Sequence, residues 1–430
     1  MKTFDFIAII LAVIFFHYLS VSAAEPDSTG TISGQMFKRG GEYYHAFLSV
    51  AELYSDNIYN THTDKESDSI TRITPGLWVM VPGGKERLPE TATASVTPGG
   101  VVLGSMGSES FRRLKAYAFY SPEFEIFANN TDQNTQSHHA EGSLEYHLVG
   151  GLSLGILEQY RNSHDARGSG ITSITTELDK YMTNLLRLFA SYDVSSRIRM
   201  EVNYADFYVD YDADRNAFRN RNDTTLSGAF FYRLFSKTSV FGEYEYLKIQ
   251  YDQDNDLDGD EKHIFGGVRW RATGKSGGMI KGGWGIKSYD QAGFDQEKTL
   301  IFQAQVDHHF TNKTGVVMSA SRRTNESNLS TSNYSIAENM RIAYFQKIRD
   351  KITATLGAAY TRDSYNEDFR IDNISRARED ELYDITAGLS YAFRKWLTAG
   401  MEYRYSQRDS NFSAFSYTTN EILFKLSGSL

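Results

Sequence analysis

Few residues of this chain are grouped in a way that could do chemistry. Asp254-Asn255-Asp256-Leu257-Asp258-Gly259-Asp260 places oxygens at positions one, three and five and glycine at six, the first half of a calcium loop. The twelfth position is Phe265, where a bidentate carboxylate belongs. Asp254, Asp256 and Asp258 are therefore a weak calcium candidate, and a solvated acidic loop is the stronger reading. The histidine pairs His138-His139 and His308-His309 lie in stretches read below as strands. Adjacent strand residues point to opposite faces, so neither pair can chelate one ion. The absence of cysteine removes a thiol nucleophile, a Cys-based zinc site and a disulfide framework. No phosphate loop, nucleophile–base motif or identifiable pair of sugar-cleaving carboxylates is present. The expectation is a chain that is not an enzyme and needs no cofactor.

Far more numerous are polar residues at every second position. They include Arg197, Arg199, Glu201, Asn203, Arg233, Glu243, Glu245, Arg269, Arg271, Lys281, Gln303, Gln305, Asp307, His309, Arg341, Asp384, Glu402, Arg404 and Lys425. Both signs of charge occur. On one face of a wall they would line a water-filled path and offer a passing solute many weak contacts rather than one deep well. For any single residue the alternative is charge pairing across the wall that merely stiffens it.

The elements that must position them are strands. Ile264, Gly266, Val268 and Trp270 alternate with Phe265, Gly267, Arg269 and Arg271, and Tyr383, Ile385, Ala387, Leu389, Tyr391 and Phe393 alternate with Asp384, Thr386, Gly388 and Ser390. Eighteen such segments can be marked: 43–54, 68–82, 113–127, 138–149, 151–161, 180–193, 196–210, 223–235, 237–251, 261–272, 277–289, 298–310, 313–323, 333–348, 351–363, 379–393, 395–407 and 418–430. Short connections such as Gly150-Gly151, Val194-Ser195 and Arg394-Lys395 alternate with long acidic ones such as Asp252–Glu261, Tyr365–Arg378 and Arg408–Tyr417. Short turns on one rim and long loops on the other predict an all-β fold, an antiparallel transmembrane β-barrel of about 18 strands in the bacterial outer membrane. An even strand count puts both chain ends on the short-turn, periplasmic side. A soluble propeller would show four short strands per repeat and a blade motif instead.

Composition agrees. The chain has 430 residues, is 40% hydrophobic and 14% aromatic, and carries a net charge of −9. Its mean hydropathy of −0.45 excludes a bundle of membrane helices. The aromatic load excludes disorder, and the acidity argues against a nucleic-acid partner. No proline follows Pro122, as expected of a continuously paired wall. Tyr43, Tyr54, Tyr192, Tyr251, Tyr289, Tyr360, Tyr405, Phe310 and Phe393 stand near strand ends and fit aromatic girdles. At the N-terminus, Lys2, the apolar run Ile7 to Phe16 and the small residues Ser22-Ala23-Ala24 have the anatomy of a signal peptide. The expected organisation is a signal peptide over 1–24, a flexible periplasmic lead-in over 25–41, and a barrel over 42–430. A long periplasmic-side insertion occupies 83–112, read as a family-specific feature in preference to a plug or docking segment.

Val50-Ala51-Glu52-Leu53-Tyr54-Ser55-Asp56-Asn57-Ile58, and then Asp68-Ser69-Ile70-Thr71-Arg72-Ile73-Thr74-Pro75-Gly76-Leu77, resemble the opening of a family of bacterial outer-membrane β-barrel proteins. These are of the porin type associated with exopolysaccharide or capsule export. The strand Asn420 to Leu430 is similar to the family's closing strand, departing from it in ending on leucine where an aromatic residue is usual. The resemblance covers nearly the whole chain after residue 24. It implies a channel for an exopolysaccharide or capsular polymer, with a general diffusion porin for small solutes as the alternative. It also implies contact with outer-membrane lipid and lipopolysaccharide, delivery by barrel-assembly machinery and a separate periplasmic polysaccharide-export partner.

Overall fold

The computed structural model describes residues 43–82, 91–103, 113–167, 177–253, 255–273, 275–291, 296–327, 329, 332–371 and 374–429. The expectations for 1–24 and 25–41 fall outside them. The strands are β1 (Tyr44–Ser55), β2 (Asp68–Val81), β3 (Ala92–Thr93), β4 (Val101–Leu103), β5 (Leu114–Phe127), β6 (Thr135–His147), β7 (Leu152–His164), β8 (Lys180–Asp193), β9 (Ile198–Tyr211), β10 (Arg221–Phe235), β11 (Thr238–Tyr251), β12 (Gly259–Thr273), β13 (Ser276–Tyr289), β14 (Glu297–Thr311), β15 (Thr314–Glu326), β16 (Tyr334–Arg349), β17 (Ile352–Ile371), β18 (Ile374–Arg394), β19 (Leu397–Ser410) and β20 (Tyr417–Ser429). All but β3 and β4 form one 18-stranded antiparallel sheet in which each strand pairs with its sequence neighbours. β1 pairs with β20 over Phe47↔Ser429 to Ser55↔Glu421, which closes the sheet. Closure leaves no edge of unpaired backbone groups in hydrocarbon, the condition for a β structure to span a bilayer. Among the described residues no helix is long and apolar enough to cross a membrane.

Alternation sorts the side chains onto two faces. On β9, Met200, Val202 and Tyr204 are exposed while Ala205, Phe207 and Val209 on the other parity are buried. The same division runs through Leu226 and Phe230 on β10, Ile264 on β12 and Trp284 on β13, all exposed. This exposed apolar skin faces lipid, and the opposite parity faces the bore. Among the described residues, tight turns mark one rim. Gly150 and Gly151 lie at φ 105° and 90° in the β6–β7 turn, a region that favours glycine. Tyr43, Tyr54, Tyr192, Phe310 and Phe393 are exposed as girdle aromatics. Tyr251 is not among them. It lies on the buried face, where its hydroxyl donates to Glu326 Oε2 at 2.5 Å. Tyr289 shares the inward face of β13 with Lys287, whose Nζ lies 5.5 Å from its ring centroid. Both tyrosines stand near strand ends, but on the parity that points inward.

The stretch Tyr365–Arg378, expected as a loop, is mostly strand. β17 and β18 run 20 and 21 residues, with a bulge between Ser364 and Asp368 and renewed pairing from Asp368↔Ala377 to Ile371↔Ile374. The ladder thus resumes past the bulge and carries the hairpin beyond the predicted strand ends. A cluster of Leu329, Tyr365, Phe369, Phe412 and Phe415 braces its base.

Candidate functional site: a divided lumen

The β2–β5 connection starts and ends at the short-turn rim, since Val81 pairs with Ala116 there. Its described residues 91–103 do not hang below that rim. They run inside the barrel as the β3–β4 hairpin and reach the loop end of the bore. The Gly99 amide donates to Asp223 Oδ2 at 2.9 Å, and Arg221 Nη2 donates to the Ser95 carbonyl at 2.6 Å. Asp223 and Arg221 are themselves paired at 3.1 Å and almost fully buried. Elsewhere Gln159 Nε2 donates to the Thr91 carbonyl at 2.8 Å, Thr93 Oγ1 donates to Gln159 Oε1 at 2.8 Å, and Glu141 Oε2 accepts the Thr91 amide at 3.0 Å. The Glu326 amide donates to the Val96 carbonyl at 2.8 Å. Val101 packs against a cluster that includes Leu185, Phe207 and Val209. Gly100 sits at φ +75°, and a Cβ there would meet Phe207 Cδ2 at 2.2 Å. The hairpin is thus fitted to β6–β10 and β15.

The wall behind it carries a buried ionic network. Lys287 Nζ lies 3.1 Å from Glu261 Oε1 and 2.5 Å from Glu326 Oε1. His263 bridges Glu245 at 2.8 Å and Glu261 at 2.9 Å. Such groups survive burial because each charge has an opposite partner and further hydrogen bonds. Above them, in the loop between β9 and β10, Arg219 stacks 3.9 Å from the Tyr211 ring centroid and pairs with Asp165 at 2.8 Å. Burial works to lower the Arg219 guanidinium, yet Tyr211 and Asp165 hold it above its ordinary value.

The expected lumen residues divide into two groups. Arg199 pairs with Glu201 at 3.5 Å, Arg269 with Glu201 at 3.3 Å, Lys281 with Glu243 at 2.9 Å, and Arg404 approaches Glu421 to 3.9 Å. Asp384 accepts from the Ser406 hydroxyl. Gln303 stands opposite Lys281, Gln305 opposite Met279, Asp307 opposite Gly277, Arg341 opposite Ala359, Glu402 opposite Leu423 and Lys425 opposite Ala51, all on the inward parity. Arg197, Arg233 and Arg271 stand at the short-turn end of the wall. Arg197 lies in the β8–β9 turn, Arg233 donates to the Ser196 carbonyl at 2.9 Å, and Arg271 is exposed at the end of β12. Arg197 directly precedes β9, and Arg233 and Arg271 lie two residues from the ends of β10 and β12.

A cavity of about 350 Å³ opens against β1, β2, the end of β7 and β16–β20. Arg72, His164, Arg167, Arg341, Asp384, Arg404 and Glu421 are among its lining residues. Arg72 and Arg167 both hold Glu125, at 2.8 and 3.3 Å. Sequence reading passed over Arg72, Glu125 and Arg167, as it did Arg221, Asp223, Glu261, Lys287 and Glu326. The available signal was register: Arg72 stands directly opposite Glu125, and Glu261 opposite Lys287.

Of the weak calcium candidate, part is described. Asp254 lies outside the described residues, but Gly259 is no turn glycine: it opens β12, opposite Ile249 and Tyr289. Asp258 Oδ1 accepts the Tyr251 amide at 2.7 Å, and Asp260 pairs with Lys262 at 2.6 Å. Among the described residues no cluster of three or more His, Asp or Glu is placed to hold a metal ion.

Solved barrels have a similar layout. OccAB4 of Acinetobacter baumannii aligns over 90% of this chain and 98% of its own, at 10% identity and TM-score 0.44. OccK3 (OpdO) of Pseudomonas aeruginosa aligns over 90% and 95%, at 11% identity and TM-score 0.42. The siderophore receptor PirA of the same organism aligns over 91% and 81%, at 10% and 0.41. No curated protein matches the chain. A family model described as "Putative beta-barrel porin 2" matches residues 44–428. The closed 18-stranded wall, its lipid-facing skin and that match identify the chain as a member of this family of outer-membrane β-barrel porins.

Proposed function

We propose that this barrel passes a polysaccharide, an exopolysaccharide or capsular polymer, outward through the outer membrane. Porins of 16–18 strands are wide enough to leave an aqueous channel. The observation that carries the reading is the lumen itself. Its inner face offers hydroxyls, amides and mutually paired charges, while a hydrogen-bonded hairpin occupies part of the bore. Paired charges give a hydrated polymer many shallow contacts, and a seated hairpin disfavours steady leakage of small solutes. The family resemblance points the same way. The lumen acts passively, with the driving force supplied by polymer synthesis and a separate periplasmic partner delivering the chain. Arg199, Glu201, Glu243, Glu245, Arg269, Gln303, Gln305, Asp307, Arg341, Asp384, Glu402, Arg404 and Lys425 are the wall residues such a path would touch. The test is gene deletion with measurement of surface polysaccharide, and unchanged polymer would refute export. The second reading, a general diffusion porin, predicts a steady open conductance in planar bilayers, and the lumen hairpin speaks against it.

A further inference from the structure

The short-turn rim is strongly charged. Take each of its turns with four strand residues on either side. The β8–β9 turn carries Arg197 and Arg199, β10–β11 carries Arg233 and Lys237, and β12–β13 carries Arg271 and Lys275. The β14–β15 turn adds Lys313, β16–β17 adds Lys347, Arg349 and Lys351, and β18–β19 adds Arg394 and Lys395. Arg113 and Lys115 enter at the start of β5. Against these fourteen cations, the same described stretches hold four acids. Glu145 faces Lys115 at 3.3 Å, Asp193 and Glu201 both face Arg199, at 3.8 and 3.5 Å, and Asp350 faces Lys313 at 3.5 Å. Outside the described residues, 25–42, 83–90 and 104–112 add five cations and six acids, which leaves the surplus nearly unchanged. One level deeper, at the fifth and sixth strand residues, the signs balance: Arg269, Lys281 and Lys425 against Glu243, Asp307 and Glu402. The surplus is therefore a collar at the mouth, in a chain of net charge −9. At the loop rim the sign reverses, with Asp206, Asp210, Asp212 and Asp214 around the end of β9 and Asp252, Asp256 and Asp258 between β11 and β12.

Parity directs the collar. Tyr232-Arg233-Leu234, Lys347-Ile348-Arg349 and Phe393-Arg394 alternate, and adjacent strand residues point to opposite faces. Leu234, Ile348 and Phe393 are 51%, 55% and 48% exposed on the lipid-facing parity, which leaves the cations on the parity of the lumen. Phospholipid headgroups would need them on the other one. We propose that this collar captures a linear polyanion at the periplasmic mouth, an acidic polysaccharide that the pore then passes outward. The proposal rests on the export reading and names its substrate class. Rings of Lys and Arg select anions, and a charged mouth with low-dielectric walls raises the local concentration and on-rate of an oppositely charged solute. Cations spread over six turns match a chain with regularly spaced carboxylates better than one compact anion. The collar gathers such a chain from the periplasm, and the balanced bore beyond it holds no deep well to stop it.

The experiment uses the purified full-length barrel in nonionic detergent, with fluorescently labelled oligogalacturonate, neutral dextran of the same size and polyglutamate as probes. Fluorescence anisotropy reads binding whether or not the pore conducts. Oligogalacturonate is expected to bind and dextran not to bind. On the unmodified barrel its affinity should fall about ten-fold or more between roughly 50 and 200 mM salt, as contacts between a polyanion and several cations do. The triple variant Lys347→Gln/Arg349→Gln/Lys351→Gln should weaken it about ten-fold, with the heat-dependent gel shift of the folded barrel retained. Lys248→Gln, near the loop end of β11 and paired there with Asp290, should leave it unchanged. Equal binding of dextran, affinity indifferent to salt, or unchanged binding by a folded triple variant overturns the proposal. So does binding of polyglutamate without oligogalacturonate, which would make the collar a dock for an acidic protein. The outcomes separate from those of export. If deletion abolishes surface polymer but oligogalacturonate does not bind, export stands and the polyanion assignment fails. If oligogalacturonate binds through the collar but surface polymer is unchanged, the collar stands as a polyanion site and the export reading fails.

Discussion

Replacing Gly100 by alanine should unseat the lumen hairpin without touching the wall. Gly100 lies at φ +75°, where an L-residue costs about 1–2 kcal/mol. The new Cβ would lie 2.2 Å from Phe207 Cδ2 and 2.5 Å from Cε2. Phe207, on β9 against the hairpin, is fully buried, so its ring has little room to retreat, and overpacking of this kind costs roughly 1–3 kcal/mol. Together these weaken seating by about 2–5 kcal/mol, which at ~1.4 kcal/mol per factor of ten is at least a 30-fold gain in the unseated population. Two assays read it. Single-channel recording should show longer or more frequent open events for Gly100→Ala than for the unmodified barrel. The chain contains no cysteine, so Thr97→Cys with Asn325→Cys can be joined by a short bis-maleimide. Their side-chain oxygens lie 3.5 Å apart. Cross-linking yield should fall in the Gly100→Ala background. Identical conductance and identical yield would refute the claim that this glycine seats the hairpin.

Other predictions follow from the same geometry. The cross-linked Thr97→Cys/Asn325→Cys barrel should conduct less than its uncross-linked form and, in cells, should lower surface polysaccharide relative to either single variant. Asp223→Ala leaves Arg221 buried without its ion-pair partner and removes the Gly99 acceptor. It should destabilise the folded barrel by about 3–5 kcal/mol in urea titrations and raise conductance. Lys287→Met strands Glu261 and Glu326 together and should cost a similar amount, followed by the same titration. Leu226→Arg places a charge on the lipid face, where Leu226 is 52% exposed, and should reduce refolding stability by roughly 2–4 kcal/mol. Gln305→Arg, on the inward face, should be tolerated far better.

How much of this was legible depended on whether the controlling partner was near in sequence. The wall was legible because alternation is a local signal. Each of the 18 marked segments corresponds to one barrel strand, with ends displaced by a few residues. The largest displacement is at β17–β18, where pairing resumes beyond the bulge from Asp368 to Ile371. The inward parity of Asp384 or Arg404 was legible too, but their height in the bore was not. The hairpin was illegible. Nothing in Thr97-Pro98-Gly99-Gly100 announces that Asp223, 124 residues away, will accept a Gly99 proton.

The hairpin also dictates an order of assembly. It is tethered between the second and third wall strands, yet its anchors extend to β15, and the seam between β1 and β20 joins the first wall strand to the last. The anchoring surface therefore does not exist until most of the chain has paired. Until then the hairpin's polar backbone has no lumen to enter. Cylinder first and stopper second is the sequence this topology favours, so a stalled assembly would present an unstoppered sheet with two free edges.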